Sequence, residues 1–254
     1  MDRAGLDITD RRAVDAALAA IRPNAVINAA AYTAVDRAEQ EAERAHAVNV
    51  AGPRNLAAAC ADQGIDFLHV STDYVFDGAK RTPYVPTDAA APLGVYGQTK
   101  WEGEQAVLAA GGRSWVVRVA WLYDSDGPNF LHTMLQLGRQ GRSLKVVEDQ
   151  IGTPTSAHFL AAALLAWAED PGRWAPGVWH FGHRGSTSWH GFAKAIFEEA
   201  GLEVDLAPCP TEAYPTPAER PKHSHLDPEA WHAAWGTPPV HWREALAHCM
   251  QHVA

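Results

Sequence analysis

Three short apolar segments, each followed by small or polar residues and then a helical pattern, place the strongest constraint on the fold. They occupy residues 25–28, 65–70 and 115–120. Strand, tight turn and helix in this order make up the repeating unit of a parallel sheet. Such connections are right-handed, and the ligands of these sheets bind beyond the carboxyl ends of the strands. The sequence therefore predicts an α/β fold with a Rossmann-like, doubly wound parallel sheet.

The residues that follow these predicted strands should converge on one crevice. They lie at 28–32, 71–73 and 120–123. Ala29, Ala30 and Ala31 form a run of small side chains that lets a ligand come close to the backbone. After residue 124 the pattern is less regular and becomes rich in proline between residues 208 and 228. We expect this part to form a smaller lobe that closes over the crevice.

A threonine and a tyrosine–lysine pair give the predicted crevice its chemistry. Thr72 stands at the end of the second predicted strand, and Tyr96 and Lys100 lie four residues apart in the helical pattern that follows. Positions four apart share one face of a helix. A nearby ammonium favours the phenolate form of tyrosine, and a threonine hydroxyl can hydrogen-bond the same carbonyl oxygen. These residues predict proton transfer at a carbonyl group, against the alternative of a packing tyrosine beside a solvated lysine.

Composition excludes several classes of function. The formal net charge is -9, and no run of Lys or Arg predicts a nucleic-acid-binding face. No segment approaches the roughly 20 apolar residues that span a membrane, and residues 1–7 lack the apolar core of a signal peptide. Three cysteines without metal-ligand spacing favour free thiols. We expect a cytoplasmic protein with no metal site.

Eight segments in fixed order resemble the extended short-chain dehydrogenase/reductase family, in particular its dTDP-4-dehydrorhamnose reductases. These segments are residues 6–10 (LDITD), 26–36 (VINAAAYTAVD), 49–52 (NVAG), 71–76 (STDYVF), 96–100 (YGQTK), 118–123 (RVAWLY), 149–155 (DQIGTPT) and 215–221 (PTPAERP). The resemblance covers nearly the whole chain. It implies a truncated dinucleotide-binding domain at 1–150, and a region at 151–254 that is mainly a substrate-binding lobe with some elements packing back on the first domain.

The resemblance also implies a reaction and a set of site residues. The reaction is reduction of dTDP-4-dehydro-6-deoxy-L-mannose to dTDP-L-rhamnose with NADPH or NADH, in which Tyr96 protonates the carbonyl oxygen. Related dehydratases carry a Glu where Tyr74 stands, which favours simple reduction here. The implied roles are catalysis for Thr72, Tyr96 and Lys100; cofactor binding for Asp7, Ile8, Ala29, Ala30, Ala31, Tyr96 and Lys100; and substrate binding for Thr72, Asp73, Trp121 and Arg220.

The chain departs from the family pattern at its start. The family opens with a strand and a glycine-rich turn whose amides hold the cofactor pyrophosphate, and the sequence enters the pattern only at residue 6. We therefore expect exposed strand edges, an incomplete phosphate site and weak or absent nicotinamide binding. Preference for NADPH or NADH cannot be read from the residues present. His158 stands where some members carry a Glu of a magnesium-bridged dimer, so no such metal site is expected, and a homodimer is left open.

Two alternative functions remain open from the sequence. One is another sugar-nucleotide reductase or epimerase. The other is a non-catalytic regulatory subunit resembling the beta subunit of methionine adenosyltransferase. The presence of Thr72, Tyr96 and Lys100 favours an enzyme, whereas the missing glycine-rich turn favours a regulatory role.

Overall fold

A computed structural model of the chain describes residues 4–253. The strands are β1 Ala25–Asn28, β2 Asp66–Thr72, β3 Ser114–Val119, β4 Leu122–Tyr123, β5 Leu144–Val147, β6 Ile151–Gly152, β7 Thr155–Ser156, β8 Gly177–His180, β9 Thr187–Ser188 and β10 Leu206–Cys209. The α-helices are α1 Arg11–Ile21, α2 Val35–Ala38, α3 Ala42–His46, α4 Gly52–Gln63, α5 Val95–Leu108, α6 Phe130–Arg139, α7 Ala157–Glu169, α8 Trp189–Ala200, α9 Glu229–Trp235 and α10 Trp242–Met250. No helix among residues 4–253 is long and apolar enough to cross a bilayer.

The main sheet has the order β1-β2-β3-β8, and all three of its pairings are parallel. β2 and β3 are central, and β1 is an edge strand of the sheet that residues 4–253 form. Successive side chains of a strand point to opposite faces, so each strand contributes to two cores. Helices α1, α4 and α5 cover one face, and α7 and α9 cover the other. This arrangement confirms the predicted α/β fold.

The two faces of the central strands differ in chemistry. The face toward α7 and α9 is apolar, with Leu68, Trp115 and Val117 packed among buried aromatic rings. The face toward α5 begins with Phe67 and Val116 but becomes polar toward the carboxyl ends of the strands. The polar side chains there are His69, Ser71, Lys100, Glu104 and Arg118, all buried. A polar layer therefore lies beneath α5.

A second core lies outside the main sheet. β5 and β10 form a parallel pair that packs against α8, and α6 and α10 complete the cluster around Phe192 and Ile196. This core draws on residues from both sides of position 150. β8 and α7, by contrast, return to the main sheet.

Strand β10 extends into the proline-rich part of the sequence. It runs from Leu206 to Cys209 and contains Pro208. Pro208 pairs with Val146 of β5 in a sheet of only two strands, where a missing backbone donor can face away from the partner. The proline-rich composition therefore concealed an edge strand.

Gly97 allows α5 to approach the turn after β2. A Cβ at this position would lie 2.2 Å from the backbone oxygen of Tyr74, which cannot rotate away. Alanine normally stabilises a helix by about 1 kcal/mol relative to glycine. We expect Gly97→Ala instead to destabilise the protein by about 1–3 kcal/mol, because overpacking forces the backbone apart. Urea unfolding tests this, and an unchanged or higher free energy of unfolding would contradict the close approach.

Candidate active site

The site begins where β2 ends. Thr72 closes the strand, and the chain turns at once through Asp73–Val75. The Thr72 hydroxyl accepts a hydrogen bond from the Tyr74 amide at 3.2 Å and donates one to Asp73 Oδ1 at 3.1 Å. These contacts fix the Thr72 side chain at the carboxyl end of a central strand, the position at which parallel sheets bind ligands.

Tyr96 lies in the first turn of α5, facing this strand end. Its ring contacts the Tyr74 ring edge to face, with centroids 5.4 Å apart. Burial raises the pKa of Tyr96 to about 12, and a hydrogen bond with the Thr72 side chain partly opposes that rise. Such a phenol stays protonated at neutral pH. It is suited to donate a proton to an alkoxide as that forms from a carbonyl.

Lys100 lies one turn further along α5 and is 1% exposed. Its ammonium donates to the Val70 carbonyl at 2.7 Å, and Nζ lies 3.2 Å from His69 Nε2. Burial lowers the pKa of Lys100 to about 8, against the attraction of Glu104. The sequence predicted that Lys100 would lower the pKa of Tyr96. In the structure Lys100 is directed at β2, and the pKa of Tyr96 is raised by burial.

Asp73 is a buried carboxylate with one poorly satisfied oxygen. It is 2% exposed, and Oδ2 has no well-formed hydrogen bond within the described part of the chain, although the Ser224 hydroxyl is close enough to favour the carboxylate. Burial raises the pKa of Asp73 to about 6. A buried acceptor of this kind beside a reactive hydroxyl is typical of a ligand-binding position.

We expect the raised pKa of Asp73 to appear in the pH dependence of stability. Because the folded pKa exceeds the unfolded value, the penalty for ionisation is absent below about pH 4 and complete above about pH 6. Asp73→Asn should therefore gain stability relative to the wild type as the pH rises from 4 to 7, by on the order of 2–3 kcal/mol. Urea unfolding at both pH values measures this difference.

Asp36→Asn provides a control of opposite sign. The Arg220 guanidinium lowers the pKa of Asp36 by hydrogen bonding, so that residue stabilises the fold at neutral pH and loses this effect as the pH falls. The Asp36 variant should thus lose stability relative to the wild type as the pH rises. Equal pH profiles for Asp73→Asn and the wild type would refute the buried, destabilised carboxylate.

Five of the seven predicted cofactor residues line one cavity of about 870 Å³ along the open edge of β1, and Tyr96 and Lys100 lie outside it. Asp7 and Ile8 lie on one side of it, and Ala29, Ala30 and Ala31 extend from the carboxyl end of β1 on the other. A cavity of this size fits a small-molecule or cofactor site, and the alanines leave the backbone accessible. The Asp7 carboxylate accepts hydrogen bonds from both the amide and the hydroxyl of Thr9. The structure thus brings together the five residues that the sequence assigned to cofactor binding alone.

Trp121 is held rigidly beyond the end of β3. Its backbone has φ of 48°, and its ring stacks on Trp189 with centroids 3.6 Å apart. A Cβ added at Gly152 would lie 2.5 Å from the Trp121 ring. A non-glycine residue in the left-handed region is uncommon and is often found at functional sites. The ring is half-buried, so part of it remains available to a ligand.

Arg220 has a partner within the protein. Its guanidinium donates to both oxygens of Asp36, at 2.7 and 2.8 Å, and to the Ala218 carbonyl at 2.6 Å. We predicted from the sequence that this arginine meets the nucleotide diphosphate. In the structure its fork holds the 215–221 loop against α2, so a diphosphate would have to share or displace Asp36.

Comparison with known proteins identifies one family along the whole chain. Residues 1–254 match the family described as the RmlD substrate binding domain. The chain belongs to this family. RmlD-family relatives include a dTDP-4-dehydrorhamnose reductase from Mycolicibacterium smegmatis, 45% identical over 243 residues, covering 94% of this chain and 73% of the relative. A Burkholderia thailandensis protein of the same name is 43% identical over 246 residues, covering 91% of this chain and 82% of the relative.

Solved structures agree with this RmlD assignment. A dTDP-4-dehydrorhamnose reductase from Bacillus anthracis, crystallised in complex with NADP, has a TM-score of 0.94 and 36% identity, covering 99% of this chain and 88% of that one. The corresponding protein from Clostridium acetobutylicum has a TM-score of 0.93 and 41% identity, covering 99% and 88%. These matches confirm the predicted family and its Rossmann-like fold.

Two groups in this RmlD-family site were missed from the sequence. His69 and Asn28 hydrogen-bond each other next to Lys100, and Glu104 and Arg118 pair beneath it. The available signal was alternation, since His69 and Ser71 occupy alternate positions of a strand whose other neighbours are apolar. Glu104 stands four residues after Lys100, on the same face of α5.

Proposed function

We propose that the protein reduces dTDP-4-dehydro-6-deoxy-L-mannose to dTDP-L-rhamnose with NADPH or NADH, in the cytoplasm. The observation that carries the proposal is the convergence of Thr72, Tyr96 and Lys100 at the carboxyl end of β2, beside the cavity that contains Ala29–31. Relatives of 45% and 43% identity bear the name of this activity.

The proposed chemistry divides between the cofactor and the chain. When bound, a reduced nicotinamide would supply the hydride for the sugar C4. Tyr96 donates its proton to the carbonyl oxygen, and its raised pKa keeps that proton in place until negative charge develops there. The Thr72 hydroxyl, fixed by the Tyr74 amide, orients the same oxygen. Lys100 contributes positive charge near the site and a donor for the nicotinamide ribose.

Substrate and cofactor would occupy adjacent parts of the crevice. Asp73 and the exposed part of Trp121 would meet the sugar, since a buried carboxylate binds hydroxyls and an aromatic face packs on a sugar ring. Asp7 and Ile8 would hold the adenine end of the dinucleotide, with Ala29–31 along its length. Arg220 would meet the nucleotide diphosphate by sharing its guanidinium with Asp36 or by releasing it.

The proposal also covers the division of the chain into a dinucleotide-binding part and a substrate lobe. The first 150 residues would form the dinucleotide-binding part, and residues 151–254 mainly the substrate lobe, with β8 and α7 packing back on the main sheet. A homodimer is compatible with this arrangement.

Consumption of NADPH in the presence of dTDP-4-dehydro-6-deoxy-L-mannose tests the proposed function. Absorbance at the nicotinamide band should fall only when both compounds are present, and the sugar product should be dTDP-L-rhamnose. UDP-linked 4-keto sugars serve as the control for a different sugar-nucleotide reductase. Binding of the dTDP-sugar without any reduction would contradict the proposal and favour a regulatory role.

A further inference from the structure

A chain of buried hydrogen bonds leads from the backbone of residue 30 to the amino group of Lys100. The Ala30 amide donates to Asn28 Oδ1 at 3.1 Å. Asn28 Nδ2 lies 3.0 Å from His69 Nδ1, and His69 Nε2 lies 3.2 Å from Lys100 Nζ. Asn28 is 4% exposed, His69 is 0% and Lys100 is 1%. No bulk water can therefore substitute for a missing partner along the chain.

The first hydrogen bond of this series determines which atom donates and which accepts in the others. Because Asn28 Oδ1 accepts from the Ala30 amide, the amide nitrogen of Asn28 faces His69. That nitrogen is only a donor, so His69 Nδ1 must accept. Burial and the neighbouring Lys100 lower the pKa of His69 well below its usual value, although a hydrogen bond with the Asn28 backbone raises it, so the ring is neutral and carries one proton. That proton is then on Nε2, which faces Lys100.

A protonated Nε2 has consequences for the lysine. An ammonium has three donors and no acceptor, whereas a neutral amine has a lone pair that can accept. Lys100 already donates one hydrogen to the Val70 carbonyl at 2.7 Å. The His69 Nε2–H therefore forms a hydrogen bond with the amine form of Lys100 and opposes the ammonium form.

We propose that Asn28 and His69 are positioning residues that fix the imidazole proton on Nε2, so that His69 presents a hydrogen-bond donor to Lys100. The inference rests on the proposed function only for the role of Lys100, which is to return a proton to the site beside Tyr96. An ordinary lysine titrates near 10.4 and stays charged throughout turnover. With its pKa lowered by burial to about 8, Lys100 can return a proton to the site after Tyr96 has given one away.

Burial itself lowers the pKa of Lys100, and the proton on His69 Nε2 acts in the same direction. Glu104 acts in the opposite direction, because its charge raises the pKa of Lys100. Its oxygens are occupied by Arg118 and by the Ser71 hydroxyl. The ionisable groups on the elements around the lysine are His69 on β2, Asp73 and Tyr74 after β2, Arg118 on β3, and Tyr96 and Glu104 on α5. On α2, Asp36 is held by Arg220, and on α3, His46 lies 3.7 Å from Glu102.

The first measurement uses the wild-type protein. Long-range proton–nitrogen NMR correlations distinguish the two imidazole tautomers, and the His69 signal is assigned by its loss in His69→Met. We expect the proton on Nε2. A proton on Nδ1 would overturn the proposal without any variant having to fold. This readout is independent of reductase activity, so failure of the proposed function would leave it unaffected.

The second measurement is the titration of Lys100. The chain has five lysines, so a spectrum of lysine labelled with carbon-13 at Cε holds five signals, and Lys100→Arg identifies the one of interest. Asn28→Leu frees the imidazole to move its proton to Nδ1 and to accept from the ammonium. We expect the proton affinity of Lys100 to rise by about tenfold, which is one pKa unit.

A double-mutant cycle and a matched control complete the test. In the His69→Met background, Asn28→Leu should leave the titration of Lys100 unchanged, because Asn28 acts only through the imidazole. Asn49→Leu removes another buried asparagine, one whose side chain contacts Tyr32 and Thr99 and not His69, and should not shift Lys100. An equal shift from Asn28→Leu with and without His69, or an equal shift from Asn49→Leu, would overturn the proposal.

Discussion

Tyr96→Phe is expected to lower kcat by about 10²–10⁴-fold, the usual contribution of one positioned acid. The variant keeps the ring that contacts Tyr74 but loses the hydroxyl that bonds the Thr72 side chain. Affinity for the dTDP-sugar should change by no more than about tenfold, because one hydrogen bond is lost and the apolar contacts remain. Steady-state kinetics and calorimetry together separate the two effects.

Tyr123→Phe is the matched control for this prediction. Tyr123 is also a buried tyrosine, but it packs on Phe192 in the second core, and its hydroxyl has no hydrogen-bond partner within residues 4–253. Its removal should leave kcat unchanged. Turnover within threefold of the wild type in Tyr96→Phe would remove Tyr96 from the proposed mechanism. An equal loss in Tyr123→Phe would attribute the effect to packing.

The order of elements could be predicted from the sequence because it depends on local signals. Asp10 caps α1 by accepting from the amides of Arg12 and Ala13, and Gly64 ends α4 with φ of 68°. Asp before a helix and Gly after one are typical residue types for these positions. Pro53, at the start of α4, is also a residue type that favours a helix beginning. The register of β10 was not predictable in this way, because it depends on pairing with β5, some sixty residues earlier.

The same distinction between local signals and distant pairing applies to the site. Thr72, Tyr96 and Lys100 belong to short motifs, and their convergence follows from the strand-end rule for parallel sheets. The partners of Lys100 depend on which residues of β1, β2 and β3 stand side by side. Asn28 pairs in register with His69, and Ser71 with Arg118. No local pattern specifies those pairings, so the buried polar layer emerged only from the structure.

Breaking the ion pair in that layer should have the largest effect on stability. The Arg118 guanidinium donates to both oxygens of Glu104, at 2.9 and 2.7 Å, and Ser71 donates to Oε1 at 2.5 Å. Glu104 is 0% exposed and Arg118 is 4%. Glu104→Leu leaves the guanidinium buried without a counter-charge. We expect a loss of about 3–5 kcal/mol in the free energy of unfolding, measured in urea.

The double variant decides whether the uncompensated charge causes that loss. Glu104→Leu with Arg118→Met removes both charges and keeps apolar volume, so it should be much more stable than Glu104→Leu alone. An exposed pair gives the control: Asp170→Ala removes the partner of Arg173 at 3.0 Å and should cost no more than about 1 kcal/mol. If the losses in the free energy of unfolding from the two buried substitutions simply add, the loss comes from packing rather than charge. Because Glu104 also raises the pKa of Lys100, its removal should lower that pKa further, which links the stability of this layer to the protonation of the site above it.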